Sequence, residues 1–224
     1  MNILITGSNR GIGLEAAKQL GERGNRVFIT ARNESDRLKA VEILNKMGIN
    51  CRGFLLDLSS MESIDTFLYS FDEDIDVLIN NAGVHLKGSP SNMEKAVLMD
   101  SFGVNIMGPW YLTSKLIPKL SKSKNPKIIN VTSGAGAITS QHHSPIPFSA
   151  YRITKLAINE YTKMLSKELP TWKINAVCPG WVRTRMGGEN ANSTVEEGAD
   201  TITWLAEENQ ETGNFYRFRR IIPW

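Results

Sequence analysis

Short β-branched runs alternate with longer helical patterns along almost the whole chain. The β-branched runs predict strands at residues 3–6, 26–30, 51–56, 77–80, 127–132 and 173–178, with a last strand at 214–218. The intervening patterns predict helices at residues 13–23, 35–47, 60–71, 109–121, 150–169 and 194–207. Strands joined by helices of crossover length form βαβ units. The pattern therefore predicts an α/β fold, in which a doubly wound parallel sheet of about seven strands carries helices on both faces.

The charges of the chain are nearly balanced and widely spread. The sequence holds 26 basic and 23 acidic residues, for a formal net charge of +3 over 224 residues. Neither sign forms the long block that is typical of an arm binding nucleic acid or an anionic membrane. No apolar run approaches the roughly 20 residues needed to span a bilayer. Near residue 217, alternating basic and aromatic side chains favour a solvated strand face over an anion site. We therefore predict no nucleic-acid partner and no membrane association.

The cysteines and histidines give no sign of a metal site or a disulfide framework. Cys51 and Cys178 are far apart in the sequence, His142 and His143 are adjacent, and His85 is distant from both. This spacing lacks the clusters of structural zinc sites, so we expect no metal. Two isolated cysteines suit a reducing compartment, and a strand at residues 3–6 leaves no place for a cleavable leader. A cytoplasmic location is the expectation.

Two residues four positions apart, Tyr151 and Lys155, are the first candidates for chemistry. On the predicted helix at 150–169, a four-residue step places them on one face. An ammonium group beside a phenol favours the phenolate, so it should lower a tyrosine pKa that is ordinarily about 10. Such pairs also occur by chance as solvated surface pairs. The interpretation of this pair therefore depends on the rest of the chain.

A glycine-rich turn follows the first predicted strand and precedes the first helix. It comprises Thr6, Gly7, Ser8, Asn9, Arg10, Gly11, Ile12 and Gly13. Glycines at this place let the backbone approach a pyrophosphate at the positive end of a helix, although a purely structural tight turn needs glycine as well. Three residues separate the first two glycines and one separates the last two, which differs from the G-x-G-x-x-G fingerprint.

The residues after the second and third strands indicate which nucleotide binds. An NAD site would place an acid after the second strand to hold the ribose hydroxyls, but the chain has Arg32 there. Arg32 and Arg10 offer two guanidinium groups to a 2′-phosphate, which favours NADP over NAD; the alternative is that both are merely exposed charges. Asp57, after the third strand, either accepts from the adenine amino group or caps the next helix.

With these features the chain resembles the short-chain dehydrogenase/reductase family over essentially its whole length. The motifs that carry the resemblance are the glycine turn, Asp57-Leu58, Asn80-Asn81-Ala82-Gly83, Asn105, Ser133, Tyr151 with Lys155, and Pro179-Gly180 followed by Val182 and Thr184. The arginine pair resembles the NADP-preferring branch, near carbonyl reductases and C-factor-like bacterial reductases. The resemblance implies a Rossmann-type fold, a single domain over residues 1–224, and NADP(H) as the cofactor.

The resemblance also implies a role for each matching residue. Tyr151 is the implied general acid, Lys155 lowers its pKa and holds the nicotinamide ribose, and Ser133 hydrogen-bonds the carbonyl oxygen. Asn105 completes the implied catalytic set by holding a water linked to Lys155. The implied cofactor contacts are Gly7, Ser8, Asn9, Arg10, Gly11, Ile12, Gly13, Arg32, Asp57, Leu58, Asn81, Ala82, Gly83, Tyr151, Lys155, Pro179, Gly180, Val182 and Thr184.

Three of these residues also have purely structural interpretations. Ser133 could only end a strand, Asn105 could only bend or cap its own helix, and Asn81 could only bridge neighbouring strands. Their joint occurrence with Tyr151 and Lys155 favours catalysis.

Two loops are expected to shape the substrate pocket. The stretch from Ser133 to Tyr151 is longer than in the shortest members of the family, and its extra residues, which include His142, His143, Pro145 and Pro147, are expected to flank the mouth. A built-in substrate loop is expected at about residues 184–198, with Gly187-Gly188 as a hinge. Trp181 and Met186 either form apolar walls or fill the core. Arg185 either meets an anionic substrate or is solvated.

We therefore predict an NADPH-dependent oxidoreductase that reduces an aldehyde or ketone to an alcohol, with a small-molecule carbonyl or alcohol as its partner. The alternative is a non-catalytic NADP-binding sensor of the same fold, against which the retained Ser133, Tyr151 and Lys155 argue. An extended-family epimerase or dehydratase would carry a larger substrate domain, whereas the sequence ends about 40 residues after Thr184.

The resemblance leaves the oligomeric state open between a monomer and a homo-oligomer, either a dimer or a tetramer. In the family, helices equivalent to 109–121 and 150–169 commonly form the contact between subunits. The apolar residues on the first of these helices either serve that contact or face the sheet; they are Trp110, Tyr111, Leu112 and Leu116.

Overall fold

The computed structural model describes residues 1–139 and 148–224. The strands are β1 (Asn2–Ile5), β2 (Arg26–Ala31), β3 (Cys51–Leu55), β4 (Val77–Asn80), β5 (Lys127–Val131), β6 (Lys173–Val177), β7 (Phe215–Arg217) and β8 (Arg220–Ile221). The helices are α1 (Gly11–Glu22), α2 (Glu34–Lys46), α3 (Met61–Ser70), α4 (Lys95–Phe102), α5 (Gly108–Leu120), α6 (Ser149–Glu168) and α7 (Val195–Glu207). A π-helical segment (Gly103–Met107) joins α4 to α5, and a 3₁₀ turn (Gly134–Gly136) follows β5.

The strands form one sheet in the order β3-β2-β1-β4-β5-β6-β7-β8. Neighbouring strands from β3 to β7 are parallel, and only β8 runs antiparallel to its neighbour β7. The parallel pairs require long crossovers, which the helices supply. The predicted α/β fold with a doubly wound parallel sheet is thereby confirmed, with an antiparallel edge strand in addition.

Both faces of the sheet are covered, because side chains alternate along each strand. In β1, Ile3 and Ile5 pack into one buried cluster with residues of α1 and α7. Leu4, between them, packs into the opposite cluster with Leu112 and Leu116 of α5. The two leucines of α5 therefore face the sheet, whereas Trp110 on the same helix is 49% exposed.

Two elements were not predicted from the pattern, α4 and β8. Helix α4 exposes Leu98 and Met99 and buries Ser101, so it has no apolar stripe that would mark it as a helix. Strand β8 follows a two-residue turn in which Phe218 and Arg219 have φ values of 50° and 57°. Hairpin turns of this kind usually contain Asn-Gly or Asp-Gly, so the sequence gives no turn signal at this place.

No described helix combines the length and the apolarity that crossing a bilayer demands.

A buried lysine at the amino end of β5 holds the end of α7. Lys127 is 1% exposed, and its Nζ donates to the main-chain oxygens of Leu205, Glu207 and Asn209 at 3.4, 3.2 and 3.0 Å. Carbonyl groups at the end of a helix have no partner within the helix and favour a cation. Burial, with help from the ammonium of Lys173 on β6, lowers the pKa of Lys127.

Replacing Lys127 with methionine should destabilise the fold. The change leaves three main-chain oxygens without this donor, and we expect the free energy of unfolding to fall by about 2–4 kcal/mol. The melting temperature should then drop by roughly 5–10 °C, measured by circular dichroism. Lys173→Met is the matched control, since it removes a neighbouring like charge on β6; it should leave stability unchanged or slightly higher. A Lys127→Met protein as stable as the wild type would contradict the capping role.

Candidate active site

The predicted site residues gather at the carboxyl edge of the sheet, where the strand order reverses. Strand β1 lies between β2 and β4, so the chain winds outward from β1 in both directions. In parallel α/β sheets the crevice at this reversal is where ligands bind. The glycine turn follows β1, and the segment Asn81-Ala82-Gly83 follows β4, so both face this crevice.

The glycine turn packs against the segment after β4 more closely than side chains would permit. Gly7 and Gly11 have φ values of +61° and +56°, which other residues rarely adopt. A Cβ on Gly7 would lie 2.8 Å from the Cβ of Ala82, and one on Gly13 would lie 2.8 Å from the Gly7 carbonyl oxygen. The turn is therefore bounded by bare backbone, as the close approach of a pyrophosphate requires.

Hydrogen bonds fix the shape of this turn. Asn81 Nδ2 donates to the carbonyl oxygens of Thr6 and Gly7 at 2.9 and 3.0 Å. The buried hydroxyl of Ser8 accepts from the Thr30 main-chain nitrogen at 3.0 Å, which joins the turn to β2. Asn81 therefore does bridge neighbouring strands, and it does so at the edge of the crevice. Its bracing role and a role beside a cofactor are compatible.

The first turn of α1 contains no acidic residue, and an arginine precedes it. Arg10 is the residue preceding the helix; its side chain makes no capping bond, and the first turn contains no Asp or Glu. Arg10 and Arg32 are both exposed, and neither forms an ion pair within the described part of the chain. Asn9 and Ile12 are half-buried in the same turn. A positive helix end flanked by two guanidinium groups suits a ligand with several phosphates.

The segment after β3 forms a compact turn of its own. Asp57 Oδ1 accepts from the nitrogen and the hydroxyl of Ser59 at 2.9 and 2.7 Å. The cap of α3 is Ser60, so the capping alternative for Asp57 is wrong. Leu58 is buried, and Gly108 packs against it so closely that a Cβ there would overlap the Leu58 carbonyl oxygen.

Tyr151 and Lys155 lie one turn apart on α6, beside the end of β5. Lys155 is 5% exposed; its Nζ donates to the Val131 carbonyl oxygen at 2.9 Å and lies 5.7 Å from the centre of the Tyr151 ring. Burial lowers the pKa of Lys155 to about 8. It also raises the pKa of Tyr151 to about 12, against the opposing hydrogen bond of Ser133. The pKa of Tyr151 is therefore raised in this structure, opposite to the lowering predicted from the pair, because the loss of solvent dominates.

The segment that carries Ser133 is locked onto α6. Ser133 begins the 3₁₀ turn, and its hydroxyl accepts from the Ala135 main-chain nitrogen at 3.1 Å. A Cβ on Gly136 would lie 2.6 Å from the Lys155 main-chain oxygen, to which the Thr132 hydroxyl also donates at 3.2 Å. Ser133 thus lies two residues beyond the end of β5 as the cap of the 3₁₀ turn, and the same packing brings it beside Tyr151.

Asn105 lies in the π-helical segment and braces three parts of the site. Its Oδ1 accepts from the Val84 nitrogen at 2.8 Å, and its Nδ2 donates to the Val84 oxygen and to the Thr154 hydroxyl, each at 3.0 Å. The side chain is 2% exposed and lies against Gly83. π-Helical turns are rare and frequently occur at functional sites. The side-chain amide of Asn105 thus braces the site, and the implied role of this residue in holding a water stays a prediction.

The segment after β6 returns to the glycine turn. Pro179 leads into Gly180, whose φ is +88°. Val182 is buried, and the methyl carbon of Thr184 lies 3.5 Å from the position of a Cβ on Gly11. Val182 and Thr184 are therefore brought to the side of the crevice where the glycine turn lies.

The beginning of the expected substrate loop is apolar and exposed. Trp181 is 53% exposed and Met186 is 47% exposed, so the interpretation of these residues as core filling is wrong. Trp181 Nε1 donates to the Gly187 carbonyl oxygen at 2.8 Å, which folds the loop onto itself. Arg185 is also exposed. The loop thus presents two large apolar side chains and a cation near the crevice.

Comparison with known proteins identifies the family. The model of a family described as short chain dehydrogenase matches residues 1–195. The chain belongs to this family of short-chain dehydrogenases.

Its relatives resemble it over nearly their whole length. The (+)-neomenthol dehydrogenase of Arabidopsis thaliana is 27% identical, with 97% of this chain and 96% of that protein aligned. Carbonyl reductase (NADPH) 1 of Macaca fascicularis is also 27% identical, over 99% of this chain and 97% of the relative. The crystal structure of NADPH-bound carbonyl reductase from chicken fatty liver superposes with a TM-score of 0.89 at 26% identity, covering 100% of this chain and 98% of that one. The family and the Rossmann-type fold predicted from the motifs are confirmed, and the chain is an oxidoreductase of this family.

Sequence reasoning missed a stacked pair of aromatic rings next to Tyr151 in this short-chain dehydrogenase. His85 stacks on Phe148 with ring centres 3.8 Å apart and meets the Tyr151 ring edge-on at 4.5 Å. Burial lowers the pKa of His85, because it disfavours the charged form of the ring. No spacing in the sequence relates residue 85 to residue 148, and only the fold brings them together. The predicted mouth residues His142, His143, Pro145 and Pro147 lie outside the described residues.

Replacing Lys155 with methionine should stabilise the protein while removing its activity. Burial lowers the Lys155 pKa from its ordinary value of 10.5 to about 8, so the unfolded chain binds this proton more strongly than the folded protein. The loss of folding stability caused by the buried ammonium is full below pH 8 and disappears as the pH rises toward 10.5. We expect the free energy of unfolding at pH 7, measured by urea denaturation, to increase by on the order of 1–3 kcal/mol.

Lys167→Met, at an exposed position of the same helix, is the matched control and should show no such gain. The gain for Lys155→Met should shrink when the measurement is repeated at pH 10. A gain of equal size at both pH values, or a loss at pH 7, would show that the buried ammonium is not the cause.

Proposed function

We propose that this chain is an NADPH-dependent reductase that converts an aldehyde or ketone into an alcohol. The observation that supports this best is the convergence of Ser133, Tyr151 and Lys155 at one point of the crevice, with a phenol whose pKa is about 12. Such a phenol is fully protonated at neutral pH. It is therefore a donor, which is what a general acid in carbonyl reduction has to be.

When bound, NADPH supplies the hydride, with its two electrons, to the carbonyl carbon. Tyr151 gives its proton to the carbonyl oxygen, so that the C=O bond becomes an alcohol. This transfer is favourable even with a raised tyrosine pKa, since an alkoxide is a much stronger base than a phenolate. Ser133 donates a hydrogen bond to the same oxygen and stabilises its developing charge. Lys155 lies close to the resulting phenolate and stabilises it, and Asn105 completes the catalytic set by holding the water through which the proton is restored.

The residues around the glycine turn fit a phosphorylated dinucleotide. The turn would hold the pyrophosphate at the start of α1, while Arg10 and Arg32 would hold a 2′-phosphate. The other proposed contacts line both sides of the crevice; they are Asp57, Leu58, Asn81, Ala82 and Gly83 toward the adenosine, and Tyr151, Lys155, Pro179, Gly180, Val182 and Thr184 toward the nicotinamide. The macaque relative is named as an NADPH enzyme, and the chicken carbonyl reductase structure has NADPH bound. Both support this choice of cofactor.

We further propose that residues 1–224 act as one domain on a small-molecule substrate, beneath the loop at about 184–198. A homo-oligomer formed through α5 and α6 fits the exposure of Trp110 and Ile153, which are 49% and 53% exposed on these helices. Leu112 and Leu116 take no part in that surface, because they face the sheet.

Replacing Tyr151 with phenylalanine should remove catalysis and spare cofactor binding. The change deletes the proton donor, so kcat for reduction of a panel of aldehydes and ketones should fall by about 100- to 10,000-fold. NADPH oxidation is followed by absorbance, and NADPH affinity by fluorescence titration. Tyr161→Phe, on the same helix, is the matched control and should stay active. If Tyr151→Phe retains turnover, its assigned role is wrong; if the wild type binds NADPH and reduces nothing, a non-catalytic sensor becomes the better interpretation.

Replacing Arg32 with aspartate should shift the cofactor preference toward NADH. A carboxylate repels the 2′-phosphate and suits the ribose hydroxyls. A lost charged hydrogen bond corresponds to a roughly 10- to 100-fold weaker affinity for NADPH. Arg220→Asp, on the edge strand at the other end of the sheet, makes the same charge change and should leave the ratio of the two affinities unaltered. An unchanged NADPH affinity in Arg32→Asp would show that Arg32 does not contact the phosphate.

A further inference from the structure

An arginine from the far end of the chain lies against the segment of Ser133. Arg217, the last residue of β7, is half-buried, and its Nε donates to the Cys178 sulfur at 3.3 Å. Its guanidinium group lies over Gly134. A Cβ on this glycine would overlap Nη2 of the arginine and would lie 3.3 Å from Cζ. The residue after Ser133 therefore has no side chain at the place where the guanidinium group lies.

This guanidinium group carries an unbalanced charge. Within the described part of the chain, Arg217 makes no ion pair and its two terminal nitrogens donate no hydrogen bond. Residues 140–147 contain neither Asp nor Glu, so that segment has no acid to offer. Arg219, two residues further on, is by contrast paired with both oxygens of Asp200, at 2.8 and 2.5 Å. Arg219 and Arg220 are exposed, as expected for a solvated arginine face near residue 217, whereas Arg217 is half-buried.

Arg217 lies at the same edge of the sheet as Ser133. Strands β5, β6 and β7 are parallel neighbours, so their carboxyl ends share one edge of the sheet. Ser133 follows β5, Cys178 follows β6, and Arg217 ends β7. The Cys178 sulfur accepts from the Gly134 nitrogen at 3.2 Å as well as from Arg217. One sulfur atom thus joins the arginine to the residue next to the catalytic serine.

We propose that Arg217 forms an anion subsite beside Ser133, and that the substrate carries a carboxylate near the carbonyl group that is reduced. This proposal rests on the proposed reductase function and specifies its substrate class. A guanidinium group without a carboxylate is costly when it is partly removed from water. Its planar fork binds a carboxylate through two parallel hydrogen bonds, and the two terminal nitrogens of Arg217 donate to no other group among residues 1–139 and 148–224.

The test compares oxo acids with their neutral methyl esters. The panel holds 2-, 3-, 4- and 5-oxo acids, because the spacing of carbonyl and carboxylate is the unknown. For the wild type we expect kcat/KM to be about 10- to 100-fold higher for at least one acid than for its ester, as a charged hydrogen bond implies. In Arg217→Met the ratio of acid to ester should fall to near unity.

Two further variants separate recognition of the anion from support of Cys178. Arg220 is exposed and is the residue that pairs with Arg217 in the β7–β8 hairpin. The Arg220→Met variant should keep the wild-type ratio of kcat/KM for acid and ester. Arg217→Lys keeps the charge without the planar fork, and it should give an intermediate ratio. If Arg217 only supports Cys178, then Arg217→Met lowers kcat for acids and esters alike and leaves their ratio unchanged, which overturns the proposal.

A binding measurement keeps the subsite testable apart from turnover. With the oxidised cofactor NADP⁺ bound, an oxo acid cannot be reduced, so calorimetry reports its affinity directly. The wild type should bind the preferred acid about 10- to 100-fold more tightly than its ester, and Arg217→Met should lose this difference. Equal binding of acid and ester by the wild type refutes the subsite. Absence of turnover with every carbonyl in the panel refutes the reductase function instead, and the binding result then still decides the role of Arg217.

Discussion

The site is built around the burial of Lys155, because an ammonium group that is 5% exposed needs a fixed acceptor. That acceptor is the carbonyl oxygen of Val131, the last residue of β5. Thr132 and Gly136, which follow β5, both contact the main chain of Lys155 and hold the strand end in register with α6. Ser133 lies between these two contacts in the sequence. The packing that buries the lysine therefore also brings the serine to the helix that carries the tyrosine.

A buried lysine lies at each end of strand β5: Lys127 belongs to the strand, and Lys155 reaches it from α6. The two ammonium groups are held in different ways. At the amino end of β5, Lys127 donates to three main-chain oxygens, which offsets part of the cost of its burial and closes the end of α7. At the carboxyl end, Lys155 has one acceptor among the described residues, and its pKa falls to about 8. The first arrangement stabilises the fold. The second leaves a proton that can move near neutral pH, and it is thermodynamically unfavourable in the way that functional sites often are.

The alternation of strand and helix patterns predicted the sheet because crossovers impose it, and the four-residue step predicted that Tyr151 and Lys155 share a helix. The direction in which the pKa of Tyr151 shifts could not be predicted in this way. It depends on how completely the phenol loses water, to which the ring of His85 contributes from a distant part of the chain. The β7–β8 hairpin was missed for a related reason, because its left-handed turn contains no glycine or asparagine and is held by tertiary contacts.

That hairpin fills the space that glycines leave at the edge of the crevice. Arg217 occupies the place of a side chain on Gly134, and the ring of Phe218 lies 3.2 Å from the position of a Cβ on Gly180, at the start of the substrate loop. The left-handed backbone of Phe218 is unfavourable for such a residue, and Arg219, the second residue of the turn, pairs with Asp200. Because these two hairpin residues lie outside the motifs that carry Tyr151 and Lys155, we expect them to affect the choice of substrate more than the chemistry. If the proposed anion subsite is correct, selectivity in this chain is determined at positions that no motif would have indicated.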